Sequence, residues 1–443
     1  MNTHRPNILY IHSHDTGRYV QPYGHAIPTP TIQKLAEGGI LFRQAFCATP
    51  TCSGARASLL TGQCPHNNGM LGLAHLGFRI KDYRRHILHT LRAAGYYCAF
   101  SGVQHIIPRD QIDKIGYDRV LAASNHADWG AAGFLRSQPT QPFFLSVGFP
   151  ETHRVKDAFN HIATMDFGRY CLPPAPLPDC PQTRRDMADF KVAALRLDQK
   201  IATVLAALEE SGLADNTLVL CTTDHGIPFP RMKCNLTDHG MGVMLILAGP
   251  GGFTGGKVFD AMVSHIDIFP TICELLGIDR PGWLEGRSFL PIVNGRATDI
   301  NEEVYGEVTY HSAYEPMRAV RTKRWKYIRR FDERTTPVVC NCDDSISKDL
   351  LLENGWREQP VEKEQLYDLI FDPHECHNLA ESPRTAAVLA DMRQRLDRWM
   401  RRTNDPLLDG PVLPPKGSMH ADPDALSNNP KIPNWTPLPG KGR

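Results

Sequence analysis

Residues 217–226, TLVLCTTDHG, combine a short apolar run with two polar side chains, Asp224 and His225, at its end. Residues 7–15, NILYIHSHD, have the same design, and this run also closes on an acidic residue, Asp15. Short apolar runs bounded by polar residues are typical of buried strands in a parallel sheet. Because open α/β sheets bind ligands beyond the carboxyl ends of such strands, the two stretches predict a polar site at one sheet edge.

Strand-like and helix-like segments alternate on both sides of these stretches. Further strands are expected at 97–100, 143–149 and 243–249, and helices at 31–37, 56–60, 86–94, 186–210 and 266–277. This alternation predicts an α/β fold with a large, mostly parallel central sheet flanked by helices.

The pattern changes after residue 300. RAVRTKRWKYIRRF, residues 318–331, is typical of strands with a basic face, and residues 385–401 have the periodicity of a helix. We therefore expect a main domain at 1–300, a smaller C-terminal α+β domain with an antiparallel sheet at 301–405, and an extended Pro-rich tail at 406–443. We expect the tail to be ordered only where it lies on the body of the protein.

Composition limits the partners. The chain of 443 residues carries 49 basic and 48 acidic side chains, so no global field favours nucleic acid or an anionic membrane. We see no secretory leader, which leads us to expect a cytoplasmic protein, or a periplasmic or secreted one if a leader has been removed. The twelve cysteines show no disulfide spacing and are expected to be mostly buried thiols. A homo-oligomer is left open.

Candidate catalytic residues lie in the segment 49–63, TPTCSGARASLLTGQ. A cysteine four residues before an arginine allows two interpretations. Cys52 is either a buried thiol near a surface Arg56, or an activated or modified thiol at a helix N-terminus, which favours anions. The longer string, extending to Thr61 and Gly62, resembles the sulfatase signature C-x-P-x-R-x-x-x-x-T-G.

The resemblance to the sulfatase family, within the alkaline phosphatase superfamily, continues along nearly the whole chain. It is carried by NILYIHSHD, TTDHGIPFP, VSHIDIFPTICELLGI, GRSFLP and LYDLIFDPHECHNLA. The order of RASLLTG-x-x-x-H-x-N-G-M, D-x-GIPFP, EVT with PMR, and DPHE-x-x-NLA is similar to the heparan N-sulfatase (sulfamidase) branch. The main domain is then a catalytic domain.

The resemblance implies that Cys52 is converted to formylglycine by a maturation enzyme. The hydrated aldehyde carries two hydroxyls on one carbon. One hydroxyl, made anionic beside a divalent cation, attacks sulfur and displaces the leaving group; the other then loses its proton and expels sulfate, which regenerates the aldehyde. Arg56, one helical turn on, would hold this group and the metal ligands.

The resemblance also implies a metal site formed by the two strand ends. Its candidate ligands are Asp15, Asp224, His225 and His14. Oxygen ligands favour Ca²⁺, whereas histidine nitrogens would suit Mn²⁺ or Zn²⁺ better. Asp15 could instead cap a turn, and His14 could lie outside the ligand sphere.

The family places further residues at the substrate. Lys233, His153 and His105 match positions on the sulfate or the leaving oxygen, although a loop histidine is often only a hydrogen-bonded surface residue. Glu307, His311 and Arg318, within EVTYHSAYEPMR, match substrate-facing positions, although an exposed strand edge would also fit them.

Three residues depart from the family pattern: Gly54 replaces Pro or Ala, Val103 replaces a lysine on the sulfate, and His14 replaces an aspartate. These departures indicate a reshaped anion pocket. We expect a hydrolase of a sulfate ester or sulfamate, acting on a small or oligosaccharide sulfate. The alternatives are a phosphonate or phosphate ester hydrolase of the same superfamily, and an inactive binding homologue.

Overall fold

The computed structural model describes residues 5–154, 159 and 168–429, and the backbone of 435–437. The main sheet has eight strands. They are β1 (Asn7–Ser13), β2 (Ile40–Phe46), β3 (Tyr97–Gly102), β4 (Arg119–Ala123), β5 (Phe143–Gly148), β6 (Thr217–Thr223), β7 (Leu245–Ala248) and β8 (Lys257–Ser264).

The strand order is β4-β3-β5-β1-β6-β7-β2-β8, and every neighbouring pair is parallel except the two that β7 makes. The predicted mostly parallel sheet is therefore confirmed. β6 and β7 are joined by residues 224–244, which include a short helix at Asp238–Met241.

The register of the central strands positions the site. Ser13 at the end of β1 pairs with Thr223 at the end of β6, so the residues that follow both strands emerge side by side. This is the carboxyl edge of the sheet, where α/β folds place their ligands.

Helices cover the sheet. The described helices are α1 (Pro30–Gly38), α2 (Cys52–Thr61), α3 (Pro65–Asn68), α4 (Ile87–Ala93), α5 (Ala127–Arg136), α6 (Pro181–Glu210), α7 (Asp238–Met241), α8 (Ile268–Leu276), α9 (Leu290–Val293), α10 (Ile346–Glu353) and α11 (Ala386–Arg402). Two large apolar clusters form the main cores, and the stripe of α6 through Leu197, Ile201 and Val204 is buried in one of them. α6 starts five residues before the predicted helix because proline is well suited to a first helical position.

A second, antiparallel sheet has the order β12-β11-β10-β9. Its strands are β9 (Val304–Tyr310), β10 (Tyr314–Arg321), β11 (Trp325–Arg330) and β12 (Glu364–Asp368), and two short strands, β13 (Met419–Ala421) and β14 (Trp435–Pro437), pair beyond it. α11 packs Leu396 and Trp399 against Tyr327 of this sheet. The expected small α+β unit is therefore present.

All twelve cysteines are free thiols, and only Cys180 and Cys376 are not buried, which confirms the expectation for the thiols. Among the described helices, none is both long enough and apolar enough to cross a membrane.

Candidate active site

The ends of β1 and β6 bring two carboxylates together. The backbone N–H of Asp15 donates to Oδ1 of Asp224 over 2.8 Å, and both side chains are buried. Asp15 has φ of +57°, a left-handed conformation that is uncommon outside glycine. The backbone thus turns at Asp15, and this turn places Asp15 next to Asp224.

His225 faces the same carboxylates. Its Nδ1 donates to the carbonyl oxygen of Gly226 over 3.0 Å, and its Nε2 lies 3.0 Å from Oδ1 of Asp15. With Nδ1 protonated, Nε2 of the neutral ring carries a lone pair directed at a carboxylate oxygen. Either a proton or a metal ion therefore belongs between these two atoms.

His14 joins the group from the other side. Its Nδ1 lies 2.9 Å from Oδ1 of Asp15 and 3.3 Å from Oδ2 of Asp224, and its ring stacks on His153 at 4.3 Å. Burial lowers the pKa of His14 to about 4, although both carboxylates oppose this shift. The imidazole is therefore neutral near pH 7 and able to act as a ligand.

Cys52 is the first residue of α2, so its side chain lies where the unpaired N–H groups of the helix favour negative charge. Its Sγ lies 3.3 Å from Nε2 of His225 and 3.9 Å from Oδ1 of Asp15. Burial raises the pKa of the Cys52 thiol, and Lys233 opposes this shift.

The departure at Gly54 has a packing reason. A Cβ at this position would lie 2.7 Å from Cγ2 of Thr49 and 2.9 Å from Oγ1 of Thr51. These two threonines form the turn that leads into α2, so a larger residue would shift the start of the helix and Cys52 with it.

Arg56 bonds to the carboxylate of Asp224. In the part of the chain that the structure describes, it makes no hydrogen bond to Cys52. Its Nη2 donates to Oδ2 of Asp224 over 3.0 Å and to the carbonyl of Ser13 over 2.9 Å, and Nη1 contacts Nδ1 of His12. Arg56 therefore ties the ends of both strands to α2.

Lys233 is buried between two carboxylates. Its Nζ donates to Oδ2 of Asp15 over 2.8 Å and to Oδ2 of Asp343 over 2.7 Å. Arg231 and Cys234, on either side of it, have φ of +64° and +63°, so the loop is held in an uncommon conformation that directs the lysine inward.

Three histidines form the accessible side of the cluster. Nδ1 of His153 lies 2.7 Å from Oδ2 of Asp15. The side chain of His153 is 27% exposed. His105 is half-buried, and its Nε2 lies 3.3 Å from Nδ1 of the exposed His75. The carboxylates, Cys52 and Lys233 are buried, so these histidines are the more exposed part of the cluster.

The electrostatics keep both carboxylates ionised. Burial would raise the pKa of Asp15, but Lys233 and three nearby histidines hold it well below its usual range. Burial would likewise raise the pKa of Asp224, yet the neighbouring histidines and Arg56 lower it. Two buried, ionised carboxylates that lie side by side supply oxygen donors of the kind that a hard divalent cation prefers.

The same donors satisfy the distance requirement for an ion. One ligand atom from each of His14, Asp15, Cys52 and Asp224 lies within 4.8 Å of the others. The lone pair of His225 adds a further nitrogen. The residues therefore fit the metal that the sequence resemblance implies.

The structure does not bring Glu307 and Arg318 into this cluster. Glu307 accepts from the backbone N–H of His66 over 2.7 Å and also contacts the His66 ring, whereas Arg318 donates to Asp405 over 2.5 and 3.1 Å. Both side chains are buried. This pairing favours a structural role over the substrate-facing role that the sequence suggested.

His311 lies closer to the cluster. Burial lowers the pKa of His311, and the charge of Lys233 lowers it further. His311 is buried.

Sequence reasoning missed three residues of the cluster. His12 contacts Arg56 from within β1, His75 contacts His105, and Asp343 holds Lys233. His12 lies in the stretch NILYIHSHD, two residues before His14. This closeness to His14 and Asp15 was the signal that the sequence offered. Asp343 is 110 residues from Lys233 and belongs to no motif, so only the fold reveals it.

Residues 6–278 match the profile described as Sulfatase, and residues 232–340 match that of the N-sulphoglucosamine sulphohydrolase C-terminal region. The chain is 30% identical to N-sulphoglucosamine sulphohydrolase of Homo sapiens, over 94% of this chain and 94% of that protein.

Solved structures share the fold. A 2-O GAG sulfatase superposes with a TM-score of 0.71 at 22% identity, covering 91% of this chain and 94% of that chain. The phosphonate monoester hydrolase of Agrobacterium radiobacter has a TM-score of 0.67 at 20% identity, covering 90% of this chain and 96% of that chain. At these identities the likeness shows the fold alone.

Proposed function

Since the chain belongs to the sulfatase family and is a sulfuric ester hydrolase by that membership, we propose that it hydrolyses a sulfate ester or sulfamate on a sugar, with a nucleophile made from Cys52. The observation that carries the proposal is the convergence of Cys52, the carboxylates of Asp15 and Asp224, and Lys233 in one buried cluster.

Cys52 is the precursor of the nucleophile in this proposal. Its Sγ marks where a hydroxyl oxygen of the hydrated formylglycine would lie. This position is at a helix N-terminus, which favours anionic oxygen. The hydrate supplies one hydroxyl for attack on sulfur and a second whose deprotonation releases sulfate. Arg56 maintains the position of Asp224 relative to this group.

Asp15, Asp224 and His225, with His14 as a fourth candidate, would hold the divalent cation. When bound, the cation lowers the pKa of an attached hydroxyl and neutralises charge on the sulfate. The two carboxylates favour Ca²⁺, while the imidazole nitrogens are donors suited to Mn²⁺ or Zn²⁺. We propose Ca²⁺ as the physiological ion, to be decided by elemental analysis.

The remaining polar groups bind the substrate. Lys233 donates to Asp15 and Asp343, and its Nζ also lies 3.4 Å from Nδ1 of His153. In the complex, its third N–H would turn from His153 to a sulfate oxygen. His153 and His105 line the accessible side, where the leaving-group oxygen must lie, and either imidazole can move a proton to it.

A sulfated sugar is the substrate class that the relatives favour. The human relative takes its name from N-sulphoglucosamine, and a structural neighbour is described as a 2-O GAG sulfatase. The polar, histidine-lined entrance also suits a hydroxyl-rich leaving group better than an apolar aryl group.

The test is a substrate panel for enzyme matured in a host with a formylglycine-generating enzyme. It contains N-sulfated and O-sulfated glucosamines, an aryl sulfate and an aryl phosphonate. We expect the highest kcat/KM for one of the sulfated sugars. A higher kcat/KM for the phosphonate than for every sulfate would contradict the proposal.

The second candidate, a phosphonate monoester hydrolase, is favoured by the fold shared with the Agrobacterium enzyme. The same panel separates the two. An inactive binding homologue is opposed by the ionised, converging carboxylates and by Cys52 at the helix start, since a protein without catalysis does not require them.

A further inference from the structure

Residues 418–429 of the C-terminal tail lie against the body of the protein and reach Asp343. The N–H of Ala421 donates to the carbonyl of Ser312 over 2.7 Å. Ala421 and Ala425 are buried in a small apolar cluster with Ala313, Val338 and Cys340. These contacts fix residues 418–429 beside the turn that follows His311.

Two side chains of this segment bond to the acidic pair that follows Cys342. Ser427 donates from Oγ to Oδ2 of Asp344 over 2.5 Å, and Asn428 donates from Nδ2 to Oδ1 of Asp343 over 2.8 Å. Ser427 is buried and Asn428 is half-buried. The tail thus reaches the carboxylate that holds the buried lysine.

Asp343 connects the tail to the catalytic cluster. It is buried, and its second oxygen, Oδ2, accepts from Lys233 over 2.7 Å. Lys233 in turn donates to Asp15 over 2.8 Å. The bonds therefore run without a break from Asn428 through Asp343 and Lys233 to Asp15.

The direction of the lysine depends on this chain of bonds. A lysine side chain has a long, flexible stem and a compact charge, so its position is set by its partners. Asp15 and Asp343 bond to Nζ together, and the loss of either would leave the ammonium free to move to the other. Asn428 occupies the oxygen of Asp343 that Lys233 does not use, which fixes the orientation of the carboxylate.

We propose that Asn428 is a positioning residue of the active site, which acts through Asp343 to keep Lys233 directed at the sulfate. The proposal rests on the proposed function, because it takes Lys233 to be a sulfate-binding cation. It makes the tail a part of the catalytic centre, although the tail contributes no group that touches substrate.

A misplaced lysine weakens anion binding, whereas a general loss of folded enzyme lowers only the apparent kcat. The informative quantities are therefore KM for the best sulfated substrate and the inhibition constant of inorganic sulfate. For Asn428→Ala we expect both to rise about 3- to 10-fold. The variant loses one hydrogen bond to the charged Asp343, and Asp343 in turn holds Lys233. Asn428→Asp should raise them further, because like charges would then face each other.

The matched control is Asp424→Ala, four residues earlier in the same segment. Its carboxylate pairs with Arg334 at 2.8 Å and is 66% exposed, away from Lys233. We expect it to leave KM and sulfate inhibition unchanged. In an Asp343→Asn background, Asn428→Ala should add nothing further, because the two residues act in series.

The outcomes separate this inference from the proposed function. Wild-type enzyme that is inactive on every sulfate would refute the function. Active wild type, with Asn428→Ala equal to Asp424→Ala, would overturn the inference alone. A lower kcat for Asn428→Ala with unchanged KM and unchanged sulfate inhibition would also overturn it, because that pattern means a purely structural role.

Discussion

Nε2 of His225 lies 3.0 Å from Oδ1 of Asp15, and its other nitrogen is committed to the carbonyl of Gly226. Burial would lower the pKa of His225, but Asp224 and Asp15 raise it well above its ordinary value. The contact is therefore one that a cation, either a proton or a metal ion, stabilises.

The first prediction concerns the metal. Asp15→Asn and Asp224→Asn should each lose the bound divalent ion and most activity, because neutralising one carboxylate removes half of the anionic charge that attracts it. Elemental analysis of purified protein measures the ion. Asp260→Asn, at a carboxylate 72% exposed, is the control and should keep it. Full activity without any divalent ion would contradict the metal site.

The second prediction tests the structural role of Arg318. Its guanidinium is buried with Asp405 and lies 3.5 Å from Glu307. Removal of one partner from a buried ion-pair network costs about 3–5 kcal/mol, so Arg318→Met should lower the free energy of unfolding by about that amount. Arg393→Met, which breaks an ion pair with 46% of the arginine exposed, should cost about 0–1 kcal/mol. Unchanged stability with a raised KM would instead make Arg318 a substrate residue.

The third prediction follows from His66 in the same network. Burial would lower the pKa of His66, but Glu307 and Asp405 raise it above 6.5. Its charged form therefore stabilises the fold fully below the unfolded-state pKa, and this contribution is lost as pH rises through the folded-state pKa.

Urea unfolding from about pH 6 to about pH 9 measures this effect. The free energy of unfolding of wild type should fall more steeply with rising pH than that of His66→Gln, by up to about 1.4 kcal/mol per pH unit. Parallel slopes in the two proteins would show that the His66 imidazole gains no proton affinity on folding.

The fourth prediction concerns Val103, which follows β3 and stands where the family has a lysine. A charge-assisted contact to an anion contributes roughly 1.5–3 kcal/mol, so its absence should make turnover of a small aryl sulfate poor. Val103→Lys should raise kcat/KM for the aryl sulfate about tenfold or more and change the best sugar less. Val120→Lys, at an exposed position of β4, is the control. No gain from Val103→Lys, with aryl and sugar sulfates equal in wild type, would end this argument.

The fold and the core of the site could be predicted from local patterns. Asp15 and Asp224 directly follow apolar runs, and parallel strands end at one edge, so their convergence needs no long-range information. Cys52 and Arg56 are one helical turn apart, although the helix starts at Cys52, four residues before the predicted segment 56–60. These residues are the ones whose neighbours along the chain determine where they lie.

The rest depended on contacts between distant segments. The partner of Lys233 is 110 residues away, and Glu307 is 241 residues from His66. No periodicity encodes such pairs. The motif around Glu307 and Arg318 indicated that these residues matter, but only the packing shows that Glu307 bonds to His66 and Arg318 to Asp405.

The fifth prediction concerns the nucleophile. Cys52→Ala should abolish turnover with the fold intact, since the loss is chemical, and Cys52→Ser should be nearly as inactive because a single hydroxyl cannot expel sulfate. Cys376→Ser, at the exposed cysteine, is the control and should retain wild-type activity. More than a few per cent of activity in either Cys52 variant would contradict the mechanism.

The central claim is that Cys52 becomes formylglycine in the active enzyme, and the mass of the peptide containing residue 52 tests it most directly. In an active preparation that peptide should be about 18 Da lighter than the unmodified cysteine peptide, from the replacement of thiol by aldehyde. Its converted fraction should rise in proportion to specific activity across preparations. A fully active preparation whose Cys52 peptide has the unmodified mass would contradict the account.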